Sequence, residues 1–252
     1  MIRGLSIGSG SGGNCFYLEI NGKRILIDLG LSARTVSAGL RRAGTALEEL
    51  DAVLITHTHT DHIKGLPVCS KKLTCPLFMS EVSGAKLFSY SPRILPPGRA
   101  VEITADIRVT AFETSHDCPG SIGFRIDSPG GSFGYATDLG CMTEEIRETL
   151  LGVDSLVLEA NHDVEMLRNG PYPYALKRRI LSENGHLSND ACAEAAAFFA
   201  GNGTERIFLA HLSRENNTPV IAAETVGKAL AGLPVELEVL PPGCDGERLL
   251  SQ

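Results

Sequence analysis

The sequence predicts an α/β protein in which two β-sheets pack face to face with helices outside. Three observations predict it. Short apolar, β-branched runs recur in both halves of the chain. Each half opens with consecutive strands and then alternates helix with strand. No long linker and no fixed-period repeat divides the halves. With 252 residues, 43% hydrophobic and 21% charged, the chain can bury a sizeable core, which excludes a disordered protein.

Taken in order, residues 4–7, 15–20 and 24–29 read as strands, and Asn21-Gly22 between the last two is a two-residue hairpin signal. Residues 32–42 have helical spacing and stop at Gly44. Residues 52–56 form a short buried strand, a helix follows Asp61, and another covers 81–90. Pro96-Pro97-Gly98 is a break, after which the pattern restarts. Strands are expected at 101–103, 107–112, 122–126 and 133–137, with a turn at Ser128-Pro129-Gly130-Gly131. Helix 143–150, strand 155–158, helix 190–200, strand 207–210, helix 219–230 and strand 235–239 complete the second half.

Charge and cysteine content narrow the function classes. A net charge of −7 argues against a protein that holds nucleic acid mainly by a basic surface, although metals or one local basic patch can supply positive field. Seven scattered cysteines with no Cys-x-x-Cys pair suit reduced core or loop thiols better than a disulfide framework or a cysteine zinc site. The longest apolar runs are far too short to cross a bilayer, and the N-terminus lacks the apolar segment of a secretory signal. A soluble cytoplasmic protein with no membrane partner is therefore expected.

Histidine placement carries the most information. His57-Thr58-His59-Thr60-Asp61-His62 directly follows the apolar strand at 52–56. His116, Asp138 and His211 each follow a strand as well, where loops converge on one sheet edge. In an extended loop His57 and His59 point the same way, whereas Asp61 and His62 come from the turn into the next helix and address a second point. A two-metal site would use His57, His59 and His116 on one ion and Asp61, His62 and His211 on the other. Asp138 would bridge them through its two oxygens. The plain alternative is a surface histidine cluster.

This set resembles the metallo-β-lactamase superfamily, whose fold is a four-layer αββα sandwich with the metals at one edge of the two sheets. The resemblance spans essentially the whole chain and implies one domain over 1–252, without the inserted β-CASP domain of related nucleases. Ile27-Asp28-Leu29-Gly30 fits a family aspartate at a strand end, which orients the hexad loop by hydrogen bonds rather than binding metal. Four segments resemble the YycJ/WalJ-like subgroup: Gly8-Ser9-Gly10-Ser11-Gly12-Gly13-Asn14-Cys15, the run from Leu158 to Leu167, the run from Leu181 to Asn189, and the run from Leu209 to Asn217.

What the subgroup resemblance implies is a metal-dependent phosphodiester hydrolase. More narrowly it implies a 5′-to-3′ exonuclease on DNA, with two divalent ions (zinc, manganese or iron) and a metal-bridging hydroxide as attacking group. Asp61 is expected to orient that hydroxide, and His186 to stabilise the phosphate or protonate the leaving group. The glycine-rich loop can offer amides together with Ser9, Ser11 and Asn14 to an anion, or it is an ordinary turn. His186 and Ser188 precede a helix start that can receive a terminal phosphate. Lys177 and Arg178, within Lys177-Arg178-Arg179, either track a phosphodiester backbone or form a solvated helix face. His162 either lines the cleft or packs behind it, and Asn216 and Asn217 shape the loop after His211. Two other readings stay open. One is a small-molecule hydrolase of the same fold (cyclic phosphodiesterase, lactonase or thioesterase). The other is a non-catalytic metal-binding regulatory partner. The residues do not specify the oligomeric state.

Overall fold

Each strand's side chains separate by period two into different cores, and this builds the layers. A computed structural model describes residues 2–240 and 249–251. The first sheet contains β1 (Ile2–Gly8), β2 (Cys15–Ile20), β3 (Lys23–Ile27), β4 (Ala52–Leu54), β5 (Leu77–Met79) and β6 (Arg93–Ile94). The second contains β7 (Ala100–Thr104), β8 (Ile107–Glu113), β9 (Ile122–Ser128), β10 (Gly131–Ala136), β11 (Ser155–Glu159), β12 (Arg206–Ala210) and β13 (Glu236–Val239). β14 (Leu249–Ser251) returns to pair with β1. Among the described residues the sheet orders are β14-β1-β2-β3-β4-β5-β6 and β13-β12-β11-β10-β9-β8-β7.

Phe16, Leu18, Ile25, Ile27 and Leu54 of the first sheet meet Phe124, Phe133, Val157 and Phe208 of the second in one intersheet core. Phe16 and Phe133 stack across it with ring centroids 5.6 Å apart. The alternate residues face outward into helix-covered cores. Leu26 and Val53 pack with Val36 and Leu40 of α1 (Ala33–Arg42) and with α3 (Leu66–Cys69), which follows the short α2 (Thr60–Ile63). α4 (Glu81–Lys86) lies after β5. On the other side Leu156, Leu158, Ile207 and Leu209 pack under α5 (Glu144–Leu150), α8 (Asn189–Gly201) and α9 (Pro219–Ala229). Burial on both faces explains why the central strands read as unbroken apolar runs.

Strand direction positions the site. β3, β4, β5 and β6 run parallel, as do β10, β11, β12 and β13. β8 is antiparallel to β9, which is antiparallel to β10, so β8 shares the direction of β10. The residues that follow β3, β4, β8, β10, β11 and β12 therefore all emerge at one edge of the sandwich. They include Asp28, the hexad, His116, Asp138 and His211.

Most expected elements are present. Asn21 and Gly22 take φ of 51° and 73°, as a primed hairpin turn requires. Ser32, Ser188 and Thr218 cap their helices by accepting from the amides of Thr35, Ala191 and Ile221. Four differences have local causes. The expected strand 24–29 stops at Ile27 because Asp28 is left-handed (φ 62°). The expected helix 81–90 breaks at Leu87 into α4 and a 3₁₀ turn. β5 and β6, three and two residues long, are too short to show a period. α6 (Val164–Asn169) and α7 (Tyr174–Ile180) are short helices either side of Gly170-Pro171-Tyr172-Pro173, which reads as loop. Among the described residues, no helix is long and apolar enough to cross a membrane. Cys69, Cys118 and Cys192 are buried thiols, and Cys244 lies outside the described residues.

The loop after β3 is clamped to the hexad: Leu29 N–H donates to the His62 carbonyl (2.8 Å) and Gly65 N–H to that of Leu29 (2.7 Å). At Gly30 a Cβ would lie 1.6 Å from the Asp61 carbonyl oxygen. Gly30→Ala is therefore expected to cost at least about 1–3 kcal/mol and to lower Tm by roughly 2–4 °C for each of these. At Gly201 a Cβ meets nothing within 4 Å, so Gly201→Ala should leave Tm unchanged or slightly raised. Parallel thermal melts of the two variants check the contrast.

Candidate metal centre

A buried carboxylate on each sheet fixes the imidazoles at the edge. On the first sheet, Asp28 Oδ1 accepts from Thr56 N–H (2.8 Å). Its Oδ2 accepts from the Thr56 hydroxyl (2.8 Å) and from His62 Nδ1 (2.8 Å). Since the Thr56 hydroxyl donates to Asp28, His57 Nδ1, 3.1 Å away, is the donor to that oxygen. Both rings then turn an Nε2 lone pair outward. His62 Nε2 lies 3.3 Å from Asp138 Oδ2 and 3.7 Å from Asp61 Oδ2.

On the second sheet Glu159, which ends β11, plays the same part. Its Oε1 accepts from His211 Nδ1 (2.7 Å) and His186 Nδ1 (2.9 Å), and its Oε2 accepts from the amides of Leu139 (3.0 Å) and Leu187 (3.1 Å). Sequence reasoning missed Glu159. The signal was a carboxylate closing the apolar run Leu156-Val157-Leu158, a position that must be buried. His211 Nε2 consequently points at Asp138 Oδ1, 3.5 Å away. His116 donates through Nδ1 to the Gly185 carbonyl (3.2 Å), which sets its Nε2 lone pair 3.3 Å from His59 Nδ1.

The ligand atoms fall into groups, each within 4.8 Å: His57, His59 and His116; Asp61, His62 and His211; and Asp138 with His57 and His62 as well as with Glu159, His186 and His211. Asp138 thus stands between the two histidine sets. Buried His57 Nε2, His211 Nε2 and Asp138 Oδ2 have no hydrogen-bond partner among the described residues. Buried polar atoms left in this state are costly unless something else satisfies them. Lone pairs and carboxylate oxygens converging on shared points are the donor set of a divalent cation, and the residues fit that group.

Electrostatics agree with this. Burial pushes His57 well below the usual imidazole range, helped by positive charge on His62. His211 goes the other way. Burial opposes its proton, but Asp138 and the hydrogen bond to Glu159 push it up to about 10. Burial would raise Glu159, yet His186 and His211 hold it down to about 2. Asp138 is likewise held far below the carboxylate range, chiefly by His211 and His62 against burial. The carboxylates are thus ionised and matched by protonated His211 and His62, whose protons a divalent ion would displace.

The expected phosphate contacts divide. Ser11 faces the cleft of about 540 Å³ that opens over Asp61, His116, Asp138, His186 and His211. Ser9 and Asn14 do not face it; both are buried and build the site instead. Ser9 Oγ accepts from His211 N–H (2.8 Å), and Asn14 accepts from Gly10 N–H (2.8 Å) while its Nδ2 lies 2.9 Å from His62 Nε2. The Ser188 hydroxyl is occupied as the cap of α8. In the basic run only Arg179 reaches the cleft, paired with Asp117. Lys177 donates to the Arg168 carbonyl (2.7 Å) and Arg178 lies over the exposed Tyr174 ring, because one turn of α7 directs three consecutive residues differently. His162 is buried outside the cleft lining, and burial lowers it to about 4. Asn217 ties Ala160 and Asn189 to its own loop, and the Asn216 amide donates to Ser213 Oγ.

Glu159→Gln keeps the shape but weakens the orientation of two imidazoles. It is expected to lower divalent-metal affinity about 10- to 100-fold. Competition against a chromophoric chelator, with far-UV circular dichroism confirming the fold, measures this.

Comparison with known proteins agrees with the geometry. The profile of the β-lactamase superfamily domain matches residues 23–212. The chain is 38% identical over 234 residues to exodeoxyribonuclease WalJ of Streptococcus pneumoniae, covering 89% of this chain and 87% of that one. It is 34% identical over 230 residues to exodeoxyribonuclease YycJ of Bacillus anthracis, with the same coverage. Among solved structures, the metallo-β-lactamase fold protein YhfI of Bacillus subtilis superposes with a TM-score of 0.74 at 16% identity, both chains covered in full. Zinc-bound PqqB of Methylobacterium extorquens gives 0.73 at 16% identity, covering 99% of this chain and 100% of that one. Fold, edge site and sequence agree that this chain belongs to the metallo-β-lactamase superfamily, within its YycJ/WalJ-like subgroup.

Proposed function

We propose that the chain is a metal-dependent phosphodiester hydrolase acting on DNA as a 5′-to-3′ exonuclease. The observation that carries this reading is that His57 Nε2, His211 Nε2 and Asp138 Oδ2, unpartnered among the described residues, belong to the ligand groups gathered at the cleft that Asp138 and His211 line. The exodeoxyribonuclease names of the two relatives give the substrate class. His57, His59 and His116 would hold one divalent ion and Asp61, His62 and His211 a second, with Asp138 shared; zinc, manganese and iron all suit this donor set. When bound, such ions supply an acidified water and neutralise charge on phosphoryl oxygens.

The protein's own groups do the remaining work. Asp61, half-buried at the start of α2 and lining the cleft, orients the attacking water. His186 is the candidate proton donor to the leaving oxygen. Its Nδ1 is anchored on Glu159, so its Nε2 is the nitrogen free to face substrate. Main-chain bonds from Gly140 to the Ser115 carbonyl (2.7 Å) and from His186 to the Ile180 carbonyl (3.0 Å) hold the cleft walls in register.

Asp138→Ala should abolish retention of metal and lower DNA hydrolysis by more than about 100-fold, the larger effect expected of a ligand than of its support. Elemental analysis and release of acid-soluble nucleotides from 5′-phosphorylated duplex DNA measure both. A substrate panel run with and without chelator separates the readings. Preference for cyclic phosphodiesters, lactones or thioesters over DNA would replace the nuclease assignment with a small-molecule hydrolase. Metal-loaded protein inert on every member would mark a regulatory partner.

A further inference from the structure

We propose that Ser11 and Gly12, at the tip of the loop between β1 and β2, form with Lys64 and Arg214 a subsite for a backbone phosphate next to the scissile one. The inference rests on the DNA-hydrolysing reading above and adds to it the groups that hold the strand.

The loop is fastened at its base and open at its tip. Gly10 N–H donates to Asn14 Oδ1 (2.8 Å), Gly13 N–H to the Gly10 carbonyl (2.9 Å), and Asn14 N–H to the Asp61 carbonyl (2.7 Å). Ser9 is held by the His211 amide. Between these anchors the amides of Ser11 and Gly12 and the Ser11 hydroxyl have no partner among the described residues, and both residues are exposed. Successive unpaired amides on a rigid turn suit an anion.

One cation lies against this tip and a second borders its cleft. Arg214, on the loop after His211, lies against Gly12 so closely that a Cβ there would sit 3.3 Å from its Nη2. Lys64, just after α2, borders the same cleft as Ser11 and Gly12. Both are exposed, and neither has an ion-pair or hydrogen-bond partner among the described residues. Arg179, Lys177 and Arg178 differ in being engaged by Asp117, the Arg168 carbonyl and the Tyr174 ring. In a chain of net charge −7, two unpaired cations beside unpaired amides form a localised anion site. None of the four residues belongs to the clustered histidines and carboxylates, so the subsite adds to the metal-holding groups rather than duplicating them. The same cleft of about 540 Å³ is lined by Asp61, His116, Asp138 and His211, which puts Ser11, Gly12 and Lys64 on one surface with the metal-edge residues.

The test uses Lys64→Ala, Arg214→Ala, their combination and Arg214→Lys, each loaded with metal. Steady-state rates are measured on 5′-phosphorylated duplex DNA across a salt series. Each alanine variant should raise KM about three- to tenfold near 0.15 M salt, with the effect on KM rather than kcat. Each should also make the fall of log(kcat/KM) with log[salt] shallower by about 0.7–0.9, one phosphate contact's share. Arg214→Lys should restore the slope. Wild-type protein that degrades DNA while the variants keep its KM and salt slope would overturn the subsite alone. So would a loss of metal content in Arg214→Ala that Arg214→Lys does not rescue. Wild-type protein that degrades no DNA would overturn the nuclease reading and the subsite with it.

Discussion

An imidazole has two nitrogens, and a metal centre works only if the correct one faces inward; in this protein a buried carboxylate on each sheet makes that choice. Asp28 takes the Nδ1 proton of His62 and, through Thr56, sets His57, while Glu159 takes the Nδ1 protons of His211 and His186. Each carboxylate is fully buried and also accepts backbone amides, so neither can turn without leaving several donors unsatisfied. Stranding a buried charge in this way costs about 3–5 kcal/mol. The order of the site is therefore tied to the stability of the fold.

The backbone makes a matching concession. Asp28, Asp138 and His211 are three of the five described non-glycine residues with left-handed φ, at 62°, 56° and 58°, and each follows a strand that ends at the metal edge. A strand that continued in extended geometry would send the next side chain to one sheet face or the other. The left-handed step turns it off the end instead. Asp and His tolerate this region better than bulky residues, so the distortion is modest and falls where chemistry needs it.

Legibility in the sequence followed the range of the interaction. The hexad, the strands before His116, Asp138 and His211, and the Asn-Gly hairpin are local patterns, and the structure brings those residues together as their placement at strand ends requires. The burial of Glu159 was legible at the end of an apolar run, but its role was not, because that depends on residues 27 and 52 positions away. Ser9 and Asn14 show the converse. Composition marks small donors in a glycine-rich loop but not their direction, and both point inward to His211 and His62. Lys177 and Arg178 point away from the cleft for a third reason: the helix that carries them is one short segment preceded by Pro171 and Pro173, and its phase decides which cation meets the cleft.

Net charge is a weak guide to what such a protein binds, and the geometry shows why. At physiological ionic strength charges are screened over about 8 Å, so acidic groups scattered on the far helices contribute little at the edge. What a strand of DNA would meet there is local: a cluster whose carboxylates are already matched by imidazoles, and a rim where Lys64 and Arg214 have no counter-charge among the described residues. Divalent ions add positive charge at the same place, and the low-dielectric walls of the intersheet core concentrate its field in the cleft. An acidic surface elsewhere then repels the polyanion from unproductive positions, so attraction and repulsion both direct the strand to the single edge where the two sheets' parallel strands end.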